Sequence, residues 1–201
     1  RHPLALAVEA ATLLDVLTDA VAGAPASGAI HERLSQAWGC ARGDGGADLI
    51  RRALVLLADH ELNASTFAAR VAASTGASLS AAALAGLSAL SGPRHGGAGD
   101  AMRSALFLFL WPENQPPAEL AALRTAVAGA TGQRPNVDFA LVALSEALGL
   151  PKDAPFALFA TARCAGWIAH AIEQVQTGGL IRPRARYAGV TPVSSSGGSA
   201  N

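Results

Sequence analysis

Residues 155–176, PFALFATARCAGWIAHAIEQVQ, read as one long helix and set the fold class. Apolar side chains recur at spacings of three and four, and Pro151 separates the run from the segment before it. The same spacing governs most of the chain, and no stretch alternates with period two for long enough to make a strand. The expectation is an all-α protein. Helices are predicted over residues 3–21, closed by Gly23-Ala24-Pro25, and over 30–38, 47–58, 63–74, 80–90, 117–130 and 137–148. Ser78 or Ser80 supplies the N-cap oxygen of the 80–90 helix. Ala68, Ala69, Ala72 and Ala73 face Ala81, Ala82, Ala83 and Gly86, so these two helices are expected to approach closely. The Ser- and Gly-rich tail from Gly189 is expected to be disordered or draped on a neighbour.

With 201 residues the chain is long enough for a sizeable core. Fifteen Lys and Arg balance fifteen Asp and Glu, so there is no basic field to recruit nucleic acid by counterion release. Charged residues make up 15% of the chain, against the roughly 25% that is usual. The mean hydropathy is +0.31, yet the longest clean apolar run, 105–111, falls far short of the roughly 20 residues of a membrane span. A sparsely charged, Ala-rich helical chain is expected to bury surface against a second copy of itself. Cys40 and Cys164 have no metal-binding spacing and are read as small buried thiols of a reducing, cytoplasmic compartment. No signal peptide is visible, and because the first residue is Arg1 the beginning is expected to be missing.

Three short segments carry polar groups for which a helical core has no use. Asp59-His60-Glu61-Leu62-Asn63 interrupts an apolar helix, and its His60 reads either as a structural imidazole or as part of a site. Gly92-Pro93-Arg94-His95-Gly96-Gly97 puts an imidazole in a turn whose glycines permit close backbone approach. Arg134-Pro135-Asn136-Val137-Asp138 places a carboxylate near a helix start, where capping and the helix dipole are its ordinary uses. No HExxH pair and no clustered Cys support a metal, and GxSxG, GxGxxG and P-loop motifs are absent. Arg163 sits inside an apolar helix, where a cation should seek a carboxylate, and Arg182, Arg184 and Arg186 follow in the loop 180–187. Arginines beside His and Asp in so sparsely charged a chain point to a small polycarboxylate ligand.

Taken in order, ADHELNASTFAARV (58–71), LSGPRHGGA (90–98), RPNVDF (134–139), LFATARCAGWIAHAIEQ (158–174) and LIRPRARY (180–187) resemble the citrate synthase family. The resemblance implies a homodimer with a multihelical fold, a large helical domain and a small mobile domain. On that division residues 1–98 and 151–188 belong to the large domain, 99–150 to the remnant of the small one, and 189–201 form a flexible tail. It implies an acyltransferase of the tricarboxylic acid cycle that condenses acetyl-CoA with oxaloacetate and water, with acetyl-CoA as co-substrate and no covalently bound cofactor. His95 then resembles the imidazole that hydrogen-bonds the thioester oxygen, and Asp138 the base that takes the methyl proton. His60 and Asn63 match substrate-binding groups. Arg163 and Arg182 match arginines that grip carboxylates, the second reaching the partner subunit's site. Trp167 and His170 are read as packing.

One family motif is missing, a glycine-flanked His followed by a Tyr and Asp-Pro-Arg, whose His polarises the ketone of oxaloacetate. The only imidazoles are His2, His31, His60, His95 and His170, so none replaces it locally. Placing the break after Met102 makes Arg103 a carboxylate ligand and lets 106–138 continue without a gap. The alternatives are 2-methylcitrate synthesis, citryl-CoA cleavage, or a non-catalytic module that binds a carboxylate or CoA.

Overall fold

The computed structural model of the chain describes residues 1–40, 45–59, 61–93, 95, 129, 137–186 and 188–189. Among these it holds seven helices and no strand: α1 (Pro3–Ala22), α2 (Ile30–Ala37), α3 (Gly46–Leu57), α4 (Ala64–Ser74), α5 (Leu79–Leu90), α6 (Val137–Ala147) and α7 (Ala154–Thr177). The expected all-α architecture holds, and each helix lies within two residues of its predicted bounds. The predicted helix 117–130 falls outside the described residues but for Gly129, and of the tail only Gly189 is described.

The α7 helix is the axis of the molecule, packing against α1, α3, α4, α5 and α6. Its middle is buried on most sides, with Leu158, Ala162, Cys164, Trp167, Ile168 and Ala171 covered, so it can only be stable surrounded by other helices. Beside it, α4 and α5 form a hairpin across the connection 75–78. Ala69 and Ala73 of α4 and Ala82 and Ala83 of α5 are all buried, as their small side chains anticipate. Ser78, not Ser80, caps α5, accepting from the Ala81 N–H at 3.1 Å. Leu141 and Leu150, in and just beyond α6, join the same core as α1 to α5 and α7.

The α1 and α2 helices are joined by Arg33, whose guanidinium is buried and donates to the Asp15 carboxylate at 2.9 Å and to Asp19. Both cysteines are free. Cys164 is buried, and desolvation pushes its thiol up to about 11. Cys40 differs from the expected buried thiol: it follows the end of α2 and is only partly covered. Among the described residues no helix is long and apolar enough to cross a membrane, and no group of metal-ligating side chains assembles.

Candidate active site

The first turn of α4 organises one corner of the molecule. Asn63 is the N-cap, its Oδ1 accepting from the Thr66 N–H at 3.0 Å and from the Ser65 hydroxyl at 2.9 Å. Just before it Glu61 takes φ = 58°, and it is the only non-glycine with positive φ among the described residues. An L residue pays for the left-handed region with about 1 to 2 kcal/mol, so the surrounding packing must hold this turn in place.

Ser65 is fully buried, and three groups converge on its oxygen. The Trp167 indole N–H donates to it at 3.2 Å, Asn63 Oδ1 faces it, and His95 Nε2 lies 3.0 Å away. His95 is itself held in a turn by its backbone N–H, which donates to the Gly92 carbonyl at 2.9 Å. Indole can only donate, so it occupies one lone pair of Ser65. Asn63 Oδ1, fixed as an acceptor by the Thr66 N–H, takes the hydroxyl proton, which leaves one lone pair for His95. His95 therefore donates from Nε2, and in the neutral imidazole its Nδ1 is an acceptor. Only with the hydroxyl turned from Asn63 to His95 would Nε2 accept and Nδ1–H become an outward donor. The hydroxyl therefore selects the tautomer of His95.

Arg163 lies one turn before Trp167 on α7 and is 2% exposed. Its Nε donates to the Leu57 carbonyl at 2.9 Å, satisfying the end of α3, and its guanidinium lies over the Phe159 ring, 4.9 Å from the centroid. Burial lowers its pKa, and the charge of Asp59 opposes that shift. The expected carboxylate partner is not found: among the described residues no acidic side chain pairs with it within 4 Å. Three residues on, Gly166 brings α7 against the end of α3, where a Cβ would stand 2.2 Å from the Ala58 carbonyl oxygen.

Trp167 and His170 do more than pack. Trp167 anchors the Ser65 oxygen, and His170 is hydrogen-bonded at both ring nitrogens, with Arg70 at 3.1 Å and Asp59 at 3.2 Å. Ser65, Trp167 and Asp59 are the members of the corner that sequence reasoning missed. The available signal was the hydroxyl two residues beyond the cap Asn63, in the first turn of the helix.

Asp138 is in the first turn of α6, half-buried, on a helix that packs against α7. Arg182 is exposed in the extended segment after α7. The preceding Ile181 N–H donates to Ser74 Oγ at the C-terminal end of α4. That end lies about 14 Å along the helix from Ser65, at 1.5 Å per residue. His60 and Arg103 lie outside the described residues.

The corner is thus built from an N-cap, a serine that sets an imidazole tautomer, and a buried arginine with no carboxylate partner among the described residues. The family model for the citrate synthase C-terminal domain matches residues 7–109 and 112–184. The chain belongs to the citrate synthase family. Citrate synthase 2 of Bacillus subtilis (strain 168) is 31% identical over 189 residues, covering 71% of this chain and 51% of the relative. The 2-methylcitrate synthase 2 of Corynebacterium glutamicum is 32% identical over 185 residues, covering 69% and 48%. The chain spans about half the length of the curated citrate synthase relatives it matches. The crystal structure of citrate synthase from Thermotoga maritima superposes with a TM-score of 0.65 at 26% identity, over 92% of this chain and 66% of the other. The ternary complex of Thermoplasma acidophilum citrate synthase with carboxymethyl coenzyme A and oxaloacetate superposes equally well, at 26% identity over 93% and 65%.

Proposed function

We propose that this chain carries the catalytic corner of a citrate synthase-type acyltransferase, which condenses an acyl-CoA with oxaloacetate and water to give citrate or 2-methylcitrate and free CoA. The observation that supports it most is Arg163, a buried guanidinium with no carboxylate among the described residues, set one turn from the indole that anchors the Ser65–His95 pair. A buried cation without a protein counter-charge suits an anionic ligand. In this reading Arg163 binds a carboxylate of oxaloacetate, with His60, Asn63 and Arg103 as further substrate-binding groups. Asp138 removes a proton from the carbon next to the thioester carbonyl. His95 donates from Nδ1 to the thioester oxygen as negative charge develops there, which requires the Ser65 hydroxyl to turn from Asn63 Oδ1 to His95 Nε2. The resulting enol carbon bonds to the ketone carbon, and water then cleaves the thioester.

The homodimer belongs to the same proposal. Arg182 stands at the opposite end of α4 from Ser65, which favours service in a partner's site over its own. Phe67 on α4 and Leu84 on α5 are exposed apolar side chains suited to a second copy. So do the large and small domain division at 98 and 150, acetyl-CoA as co-substrate, and a cytoplasmic location. The test is CoA release from acetyl-CoA or propionyl-CoA. It is expected only with oxaloacetate present and is expected to vanish in Asp138→Asn and His95→Ala. A folded, dimeric protein that releases no CoA overturns the enzyme reading.

A second reading, a non-catalytic carboxylate-binding module, is favoured by the missing ketone-polarising His motif. His170 cannot substitute, because both its nitrogens are engaged. Calorimetric binding of oxaloacetate without turnover is its signature.

A further inference from the structure

A chain of hydrogen bonds crosses from α7 to α4 and on to the connection after α3: Glu173 to Arg70, Arg70 to His170, His170 to Asp59. Its proton placement is fixed by the arginine. A guanidinium only donates, so Arg70 Nη1, 3.1 Å from His170 Nδ1, requires a bare lone pair there in neutral imidazole. The ring proton therefore sits on Nε2 and is donated to Asp59 Oδ1 at 3.2 Å. Asp59 begins the connection that leaves α3, beside the Ala58 carbonyl pressed on Gly166. Among the described residues its side-chain partner is His170 and not Arg163, although its charge acts on the Arg163 guanidinium.

We infer that His170 is a positioning residue: by holding the Asp59 carboxylate through Nε2–H, it keeps that carboxylate from closing on Arg163 and leaves the guanidinium for a ligand carboxylate. This rests on the reading of Arg163 as a carboxylate-binding group. The physical basis is competition. A carboxylate released next to a buried guanidinium forms a charge-assisted hydrogen bond with it, and an anionic ligand must then displace it. Nothing in the local sequence announces the arrangement, since Arg70 and Asp59 lie 100 and 111 residues from His170.

The experiment is calorimetric titration of the full chain with oxaloacetate, with amide hydrogen exchange at Ala58 and Asp59 read on the same preparations. His170→Ala is expected to weaken oxaloacetate binding about tenfold and to speed exchange at both amides by a similar factor. His170→Gln offers an amide oxygen to Arg70 and an amide N–H to Asp59, and restores both. The decisive variant is His170→Ala with Asp59→Asn, which removes the competing charge and recovers binding while exchange stays fast. A structural histidine would not be rescued by a second change that breaks the same contact further. Wild-type affinity in His170→Ala, or no recovery in the double variant, overturns the inference. If His170→Ala does not fold, Asp59→Asn alone carries the test: it is expected to bind oxaloacetate at least as tightly as the wild type, and weaker binding overturns the inference. If the wild-type chain binds no oxaloacetate, it is the functional reading that falls. Unchanged amide exchange in His170→Ala then overturns the positioning role on its own.

Discussion

The Trp167 indole lies flat on Gly86, so close that a Cβ on the glycine would stand 2.6 Å from the ring. No rotation of a methyl group relieves such a contact, and either α5 must move out or the indole must leave Ser65. Gly86→Ala is expected to cost about 1 to 3 kcal/mol, as overpacking of a tight core does. Chemical denaturation measures it, and an unchanged midpoint would show that α5 can slide away without cost.

Ser65→Ala removes the oxygen on which Trp167, Asn63 and His95 meet. The indole N–H is then buried without an acceptor, a loss of about 1 to 3 kcal/mol. On the proposed function the tautomer of His95 is also no longer set, and oxaloacetate-dependent CoA release is expected to fall about 100-fold. Melting and the CoA-release assay read the two effects separately.

Asn63 has two duties that substitution can divide. Asn63→Ala removes the cap from α4 and is expected to lower stability by about 1 kcal/mol, whereas Asn63→Asp retains an accepting oxygen and costs far less. Thermal melts of the two variants side by side make the comparison, and equal losses would contradict the capping role.

Cys164 provides a pH signature. Its thiol is pushed up from 9.0 to about 11 by burial, so between these values the unfolded chain loses a proton that the folded chain keeps. The unfolded state gains from that ionisation, and stability falls as pH rises from about 9 to about 11, by roughly 2 to 3 kcal/mol in all. Denaturation series at pH 8 and 10.5 check this, and Cys164→Ala is expected to flatten the difference whatever it does to the absolute stability.

The helices were legible because their signals are local. Apolar spacing and the stop at Gly23-Ala24-Pro25 lie inside or next to the segments they govern, so errors were confined to the ends. The 80–90 helix begins one residue earlier because Ser78, not Ser80, is the cap. The candidate site was legible only in part. Asn63 and His95 were found, but the Ser65 that joins them was not, because its partners lie 30 and 102 residues away. His170 was misread for the same reason. An imidazole on a helix face looks like packing until the residues opposite it are known, and those are chosen by the fold rather than by neighbouring sequence.

Arg163, Gly166, Trp167 and His170 lie within about two turns along a single stripe of α7, and each meets a different partner: Leu57, Ala58, Ser65 and Asp59. Inserting or deleting one residue in a helix rotates everything beyond it by about 100°. An insertion before Arg163 would thus carry all four contacts off the stripe together, whereas a substitution disturbs them singly. The length of α7 ahead of Arg163 is therefore under tighter constraint than the identity of most residues in it, whereas a change of chain length past the αL glycine Gly178, where the helix has already ended, leaves the stripe in register.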